Sequence, residues 1–167
     1  QELQGLTQSQ VESANSKVNF RIEREAGNIE CDGVFQNGKG NGTFRFTANS
    51  QFVSAMKSRG FIFEKDASDN DWESENKLFF AAMMNVTTAF ADDLLSANLG
   101  KLDTGDLFKA RIFKIDSSFM REMKASGFPN LGMEELVKAR IFKINGEYLR
   151  ELNEAGFGNE PFEKVVK

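Results

Sequence analysis

The chain has 167 residues, a formal net charge of −4, 40% hydrophobic and 28% charged side chains, which is the balance of an ordinary globular protein with room for a real core. The acidic balance argues against a dedicated nucleic-acid binder, whose affinity depends on neutralising phosphates, and no stretch approaches the ~20 apolar residues that span a bilayer. Histidine is absent and Cys31 is the lone cysteine, which removes histidine-based triads, most zinc and iron sites, internal disulfides and thiolate metal cages.

Residues Gln1 to Lys17 are polar and aperiodic and read as a frayed leader or linker. From Val18 the pattern alternates. Val18, Phe20 and Ile22 fall on one side and Asn19, Arg21 and Glu23 on the other, a strand with one buried face. Ala26-Gly27-Asn28 is a turn. Ile29, Cys31 and Phe35 form a second strand, with Gly33 as a candidate bulge, and Cys31 there reads as a small buried thiol rather than a nucleophile. Asn37 to Gly42 is a glycine-rich connection, and Phe44 and Phe46 mark a third strand. Residues 18–48 are therefore expected as a three-stranded antiparallel meander whose Phe-rich face needs a covering helix. The Gly38-Lys39-Gly40-Asn41-Gly42 stretch is no phosphate loop, because Gly rather than Ser or Thr follows the Lys and a strand rather than a helix follows the loop. The run from Asp32 to Gly42 is similar to a single hairpin of the MORN type, which MORN proteins string in tandem.

From Asn49 the period becomes helical. Phe52, Val53 and Met56 form an apolar stripe that closes at Gly60-Phe61, and the expected cover for the meander is this helix. Asp66 to Glu75 is an acidic loop; it lacks the glycine and the spacing of an EF-hand, so a solvated loop with Trp72 against a helix is the expectation. Then the chain repeats itself. Ala110-Arg111-Ile112-Phe113-Lys114-Ile115 returns 29 residues later as Ala139-Arg140-Ile141-Phe142-Lys143-Ile144, and Ala81 to Val86 is a diverged earlier copy. A period in this range signals stacked supersecondary units. Each unit reads as two short helices. The first runs through Leu107, Phe108, Arg111 and Ile112, or Leu136, Val137, Arg140 and Ile141. The second follows an N-cap at Thr87, Asp116 or Asn145, with Phe119, Met120 and Met123, or Tyr148, Leu149 and Leu152, inward. Gly127-Phe128 and Gly156-Phe157, with Asn98-Leu99 in the diverged copy, read as left-handed helix terminators. The pattern restarts at Asn159 and ends inside a fourth unit, as a truncated chain or an end that docks elsewhere would.

The fold class expected is α+β: a three-stranded β-meander (18–48) after a leader (1–17), packed on helical repeats (49–167). Within the latter, 49–77 holds a first helix and the acidic loop, and 78–106, 107–135 and 136–164 are units of about 29 residues. All are expected to form one continuous domain. The 17 Phe against one Trp and one Tyr read as core payload, since Phe has no polar handle.

The order of a G-f-x-x-G-K-G-x-G-T-F hairpin, an F-V-x-x-M-x-x-x-G-F helix and tandem L-V-x-A-R-I-x-x-I-x-x-x-F-L-R-E-L-x-x-A-G-F units resembles the extracytoplasmic region of peptidase M56 (BlaR1-type) sensor proteins and related bacterial envelope proteins. It covers Val18 to the C-terminus. The peptidase itself is absent, and Phe113 and Phe142 stand where that repeat often carries His. The resemblance implies an extracytoplasmic sensory or interaction accessory, its signal peptide already removed. It does not imply catalysis. A chain opening at Gln1 fits a processed envelope protein, and equally a recombinant piece.

Among functions, an enzyme would need convergent carboxylates. The pairs Glu134-Glu135 and Asp92-Asp93 sit at first-turn or outward helix positions, so no catalytic, metal or cofactor residue is expected. A protein-binding module is favoured by the repeats; the alternative is a lipid or small-ligand module using the Phe- and Met-rich interior. The expected binding residues are Lys114, Arg121, Lys143 and Arg150, a basic ladder for an acidic protein partner or an anionic envelope polymer.

Overall fold

A computed structural model of the chain describes residues 3–63, 71–126, 131–158 and 162–165. The class is α+β, as expected. Within it the chain divides into two compact units, residues 1–57 with 63–88 and residues 58–62 with 89–167.

The first unit holds an antiparallel sheet in the order β1 (Leu3–Gln4), β2 (Ser16–Arg24), β3 (Gly27–Gln36) and β4 (Lys39–Ala48). The expected three strands are therefore corrected to four, because Leu3 and Gln4 pair with Ile22 and Arg21. The polar leader is not frayed over its described part either. Helix α1 (Gln8–Glu12) opens on a reciprocal cap in which Thr7 N–H donates to Gln10 Oε1 at 2.9 Å and Gln10 N–H to Thr7 Oγ1 at 3.3 Å, satisfying two first-turn donors. Asn37 N–H and Gly38 N–H then donate to the carbonyls of Ser13 and Val11, tying the leader to the hairpin. Gly33 marks no bulge: the β2–β3 and β3–β4 registers run unbroken through it. The glycine-rich connection shrinks to Asn37-Gly38, both at positive φ, which is the two-residue turn that matches strand twist. Gly40 and Gly42 lie within β4.

Helix α2 (Ser50–Lys57) buries Phe52 and Met56, and Phe52 meets Phe63 edge-on, 5.5 Å between ring centres. The helix against the aromatic end of the sheet is instead α3 (Asp71–Met83), which lies along β3 and β4. Phe79 stacks on Phe44 at 5.0 Å and takes Phe46 edge-on at 5.6 Å. The backbone from Asp71 to Glu75, expected as loop, is helical; residues 64–70 lie outside the described residues.

The second unit contains α4 (Thr88–Ser96) from Ala89 on, α5 (Thr104–Phe113), α6 (Ser117–Lys124), α7 (Met133–Phe142), α8 (Gly146–Leu152), a π-turn over Asn153–Phe157 and α9 (Phe162–Val165). Its core comprises Leu94, Leu107, Ile115, Met120, Met123, Leu136 and Leu149, all fully buried. Two of the expected N-caps hold: Asp116 accepts Phe119 N–H at 2.8 Å and Asn145 accepts Tyr148 N–H at 2.9 Å. Asp103 and Asp106 cap α5 reciprocally. Asn98 and Gly156 take positive φ as terminators; Gly127 lies outside the described residues. No single helix among the described residues is long and apolar enough to cross a membrane.

Candidate functional site

The chemistry of the second unit is concentrated where one helix pair meets the next. Asp93 on α4 accepts both the N–H of Ser117, at 2.9 Å, and its hydroxyl, at 2.6 Å. Positions 29 residues on repeat the contact: Glu122 on α6 accepts the N–H of Gly146 at 2.8 Å. Each carboxylate meets the first residue of a helix, where free N–H groups and the helix dipole favour negative charge. Within the first unit Glu25 does the same for Thr88, accepting its N–H at 2.8 Å and its hydroxyl at 3.0 Å.

A second recurring contact ties the first helix of one pair to the second helix of the pair before it. Arg140 on α7 lies 3.7 Å over the Phe119 ring and donates to the Lys114 carbonyl at 2.8 Å. Arg111 on α5 stands 5.3 Å over Phe90, the equivalent pair 29 residues earlier. Helices α5 and α7 lie side by side, and Lys109 Nζ bridges them through Glu134. Glu134-Glu135 and Asp92-Asp93 are thus held in structural contacts. Glu135 accepts Gly132 N–H at 3.0 Å, and Asp92 takes a two-point bond from Arg59, 2.7 and 2.9 Å.

These contacts move the titrations. Hydrogen bonds from the Ser117 hydroxyl, and then from its N–H, hold the Asp93 carboxyl below the ordinary range. The bond from Arg59 does the same for Asp92, and the bond to Glu134 raises Lys109. In the sheet, burial and then the neighbouring Asp32 push the Cys31 thiol up, the opposite of an activated nucleophile.

The four basic residues expected as a ladder have different fates. Lys114 and Lys143 are exposed and occupy the left-handed residue that closes α5 and α7, at φ 54° and 58°. Arg121 is engaged, donating to the hydroxyls of Ser96 at 3.3 Å and Ser117 at 2.9 Å. Arg150, 29 residues on, is exposed, and the positions equivalent to those two serines are Ala125 and Gly146, which have no hydroxyl to offer. All four are exposed; the two lysines are equivalent, whereas Arg121 has serine partners that Arg150 lacks.

Beside those lysines Ile112 and Ile141 are 54% and 56% exposed, and Phe142 is 56% exposed. The inward positions are Leu107, Ala110 and Ile115 and their equivalents Leu136, Ala139 and Ile144. The reason is angular: five residues carry Ile112 about 140° round the helix from Leu107, off the buried stripe. Tyr148, expected inward, is 44% exposed. The helical wheel about Leu107 holds the signal that would have found these outward side chains. Phe is likewise not all core payload, since Phe44, Phe80 and Phe157 are also more than half exposed.

Because Arg140 grips the Lys114 carbonyl, the C-terminal ends of α5 and α7 are neighbours. Exposed Ile112 and Lys114 stand at the end of α5, and exposed Ile141, Phe142 and Lys143 at the end of α7. Among the described residues no three His, Cys, Asp or Glu side chains come together to hold a metal ion. The chain matches no protein-family model, no curated protein and no solved structure.

Proposed function

We propose that the second unit is a non-catalytic protein-docking module of the bacterial cell envelope, built as a stack of 29-residue helical hairpins. Its partner is an acidic protein segment with an apolar face, laid across Ile112-Phe113-Lys114 and Ile141-Phe142-Lys143. The observation that carries this reading is the equal exposure of Ile112 and Ile141 at equivalent positions, each two residues before an exposed lysine. Isolated apolar residues on a surface need no explanation, whereas a repeated cluster beside like charges does. Apolar contact supplies affinity, and the lysines supply orientation and rejection of basic partners. The resemblance to extracytoplasmic sensor regions supports the envelope and the accessory role.

The test compares capture from an envelope fraction by the wild-type chain and by Ile112→Ser/Ile141→Ser/Phe142→Ser, with Lys114→Glu/Lys143→Glu as a second bait. These side chains are exposed, so both variants should unfold at nearly the wild-type midpoint. A protein held by the wild type, lost from both variants and released by salt supports the reading. Equal capture by all three baits refutes it. Release of product from envelope polymers by the purified chain would refute the non-catalytic part.

A further inference from the structure

One face of the sheet in the first unit is a series of cross-strand rows: Ile22–Ile29–Phe46, Phe20–Cys31–Phe44, Val18–Gly33–Gly42 and Ser16–Phe35–Gly40. The third row holds two glycines. They are required there, because a Cβ on Gly33 would lie 2.4 Å from the Asn41 carbonyl oxygen and one on Gly42 2.2 Å from that of Asp32. Two side chains are consequently missing between the rings of Phe20 and Phe44 and the ring of Phe35. The rows on either side stand roughly 13 Å apart along the strands. The gap is a cavity of about 270 Å³ lined by Val18, Phe20, Cys31, Phe35 and Phe44 over a glycine floor. Phe44 is 61% exposed yet fixed, its ring stacked within 9° of parallel on Phe79.

We propose that this slot binds an uncharged, planar apolar molecule the size of two fused aromatic rings. The inference rests on the first unit alone and is independent of the protein-docking reading. Size sets the ligand: an apolar cavity of about 150 Å³ takes up benzene, and 270 Å³ accommodates a second ring. Chemistry sets its neutrality. The one charged residue at the wall, Asp32, bonds Asn19 at 2.6 Å and belongs by strand alternation to the other face, so a charged ligand would be desolvated without a partner. Ring-faced walls favour a flat ligand through offset stacking. The floor cannot collapse inward, since the backbone already stands at its closest approach there.

Cys31 lines the slot and is the chain's lone thiol, so its alkylation reports occupancy. The full chain is treated with iodoacetamide under increasing 2-naphthol, and the same titration is followed calorimetrically. The expected result is a saturable slowing of alkylation, at least about five-fold at the highest probe concentration, with matching heat of binding. Both should be lost in Gly40→Val, whose Cβ would stand 3.1 Å from the Phe35 ring and push that ring into the slot, and weakened in Phe44→Ala, which removes an exposed wall. 2-Naphthoate should bind worse than 2-naphthol. The proposal fails if no heat of binding is seen, if Gly40→Val and Phe44→Ala both bind as the wild type does, or if the naphthoate binds as well. It also fails if Cys31 is protected without probe in a species that elutes as a dimer, because a second copy then fills the slot.

Discussion

A Cβ at position 146 would stand 2.7 Å from the Cγ of Glu122, the same residue whose Oε1 accepts the Gly146 N–H at 2.8 Å. At the equivalent joint a shorter acid, Asp93, faces a larger residue, Ser117, and reaches both its N–H and its hydroxyl. The Glu122 carbonyl oxygen stands 2.8 Å from the same Cβ at position 146, so both the backbone and the side chain of Glu122 crowd that position. Gly146→Ser should therefore destabilise by about 1–3 kcal/mol through overpacking. Combined with Glu122→Asp, which removes the side-chain part of the crowding, it should recover a measurable part of that loss in a double-mutant cycle of urea midpoints. Strict additivity of the two single changes would show that the Glu122 side chain takes no part in the crowding.

Lys114 and Lys143 hold left-handed backbone without being glycine, a conformation that costs an L-residue roughly 1–2 kcal/mol. Lys114→Gly should raise the unfolding midpoint, by about 0.5 kcal/mol after the added chain entropy of glycine is subtracted, and should weaken capture of the docking partner. Stability and binding would move in opposite directions. A destabilised Lys114→Gly would mean that the lysine stem packs more than it strains.

The acid limb of stability should be shaped by Asp93. Its carboxyl is held below the ordinary range by Ser117, so its stabilisation is complete above the unfolded-state value of about 3.9 and drains away as pH falls through the lower native one. Asp93→Asn should be less stable than the wild type at pH 7, and the gap should narrow as the pH drops below about 3.9. Urea midpoints from pH 7 to 2 decide this; a gap that stays constant would mean that the charge contributes nothing.

Arg140 combines a ring contact at 3.7 Å with a bond to the Lys114 carbonyl. A lysine cannot reproduce the flat stacking or the fork of donors. Arg140→Lys should cost about 1 kcal/mol. Thermal unfolding beside the wild type tests this; an unchanged midpoint would mean that the flat stacking contributes nothing.

Local rules made part of this legible in the sequence. Asp116 and Asn145 cap helices because a side-chain oxygen three bonds from Cα reaches an N–H three residues on, which spacing alone reveals. The alternation from Val18 to Ile22 placed β2 for the same reason. What escaped depends on neighbours distant in the chain. Leu3 and Gln4 become a strand only because the edge of β2 is open beside them, and Phe79 is aromatic cover only because the sheet brings Phe44 to it. The division into two units is invisible to any local pattern. The outward Ile112 and Ile141 follow from the helical wheel about Leu107, whereas the left-handed backbone of Lys114 and Lys143 carries no glycine to announce it.

Nearly identical neighbours in one chain invite exchange during folding, since each segment can dock where its copy belongs. The joints described above work against that. Gly146 placed opposite Asp93 would leave the short carboxylate without a hydroxyl to bind, and Ser117 opposite Glu122 would press its side chain into the longer acid. Two segments that share Ala-Arg-Ile-Phe-Lys-Ile letter for letter are thereby told apart by a methylene and a hydroxymethyl group, and the order of assembly is written at their seams.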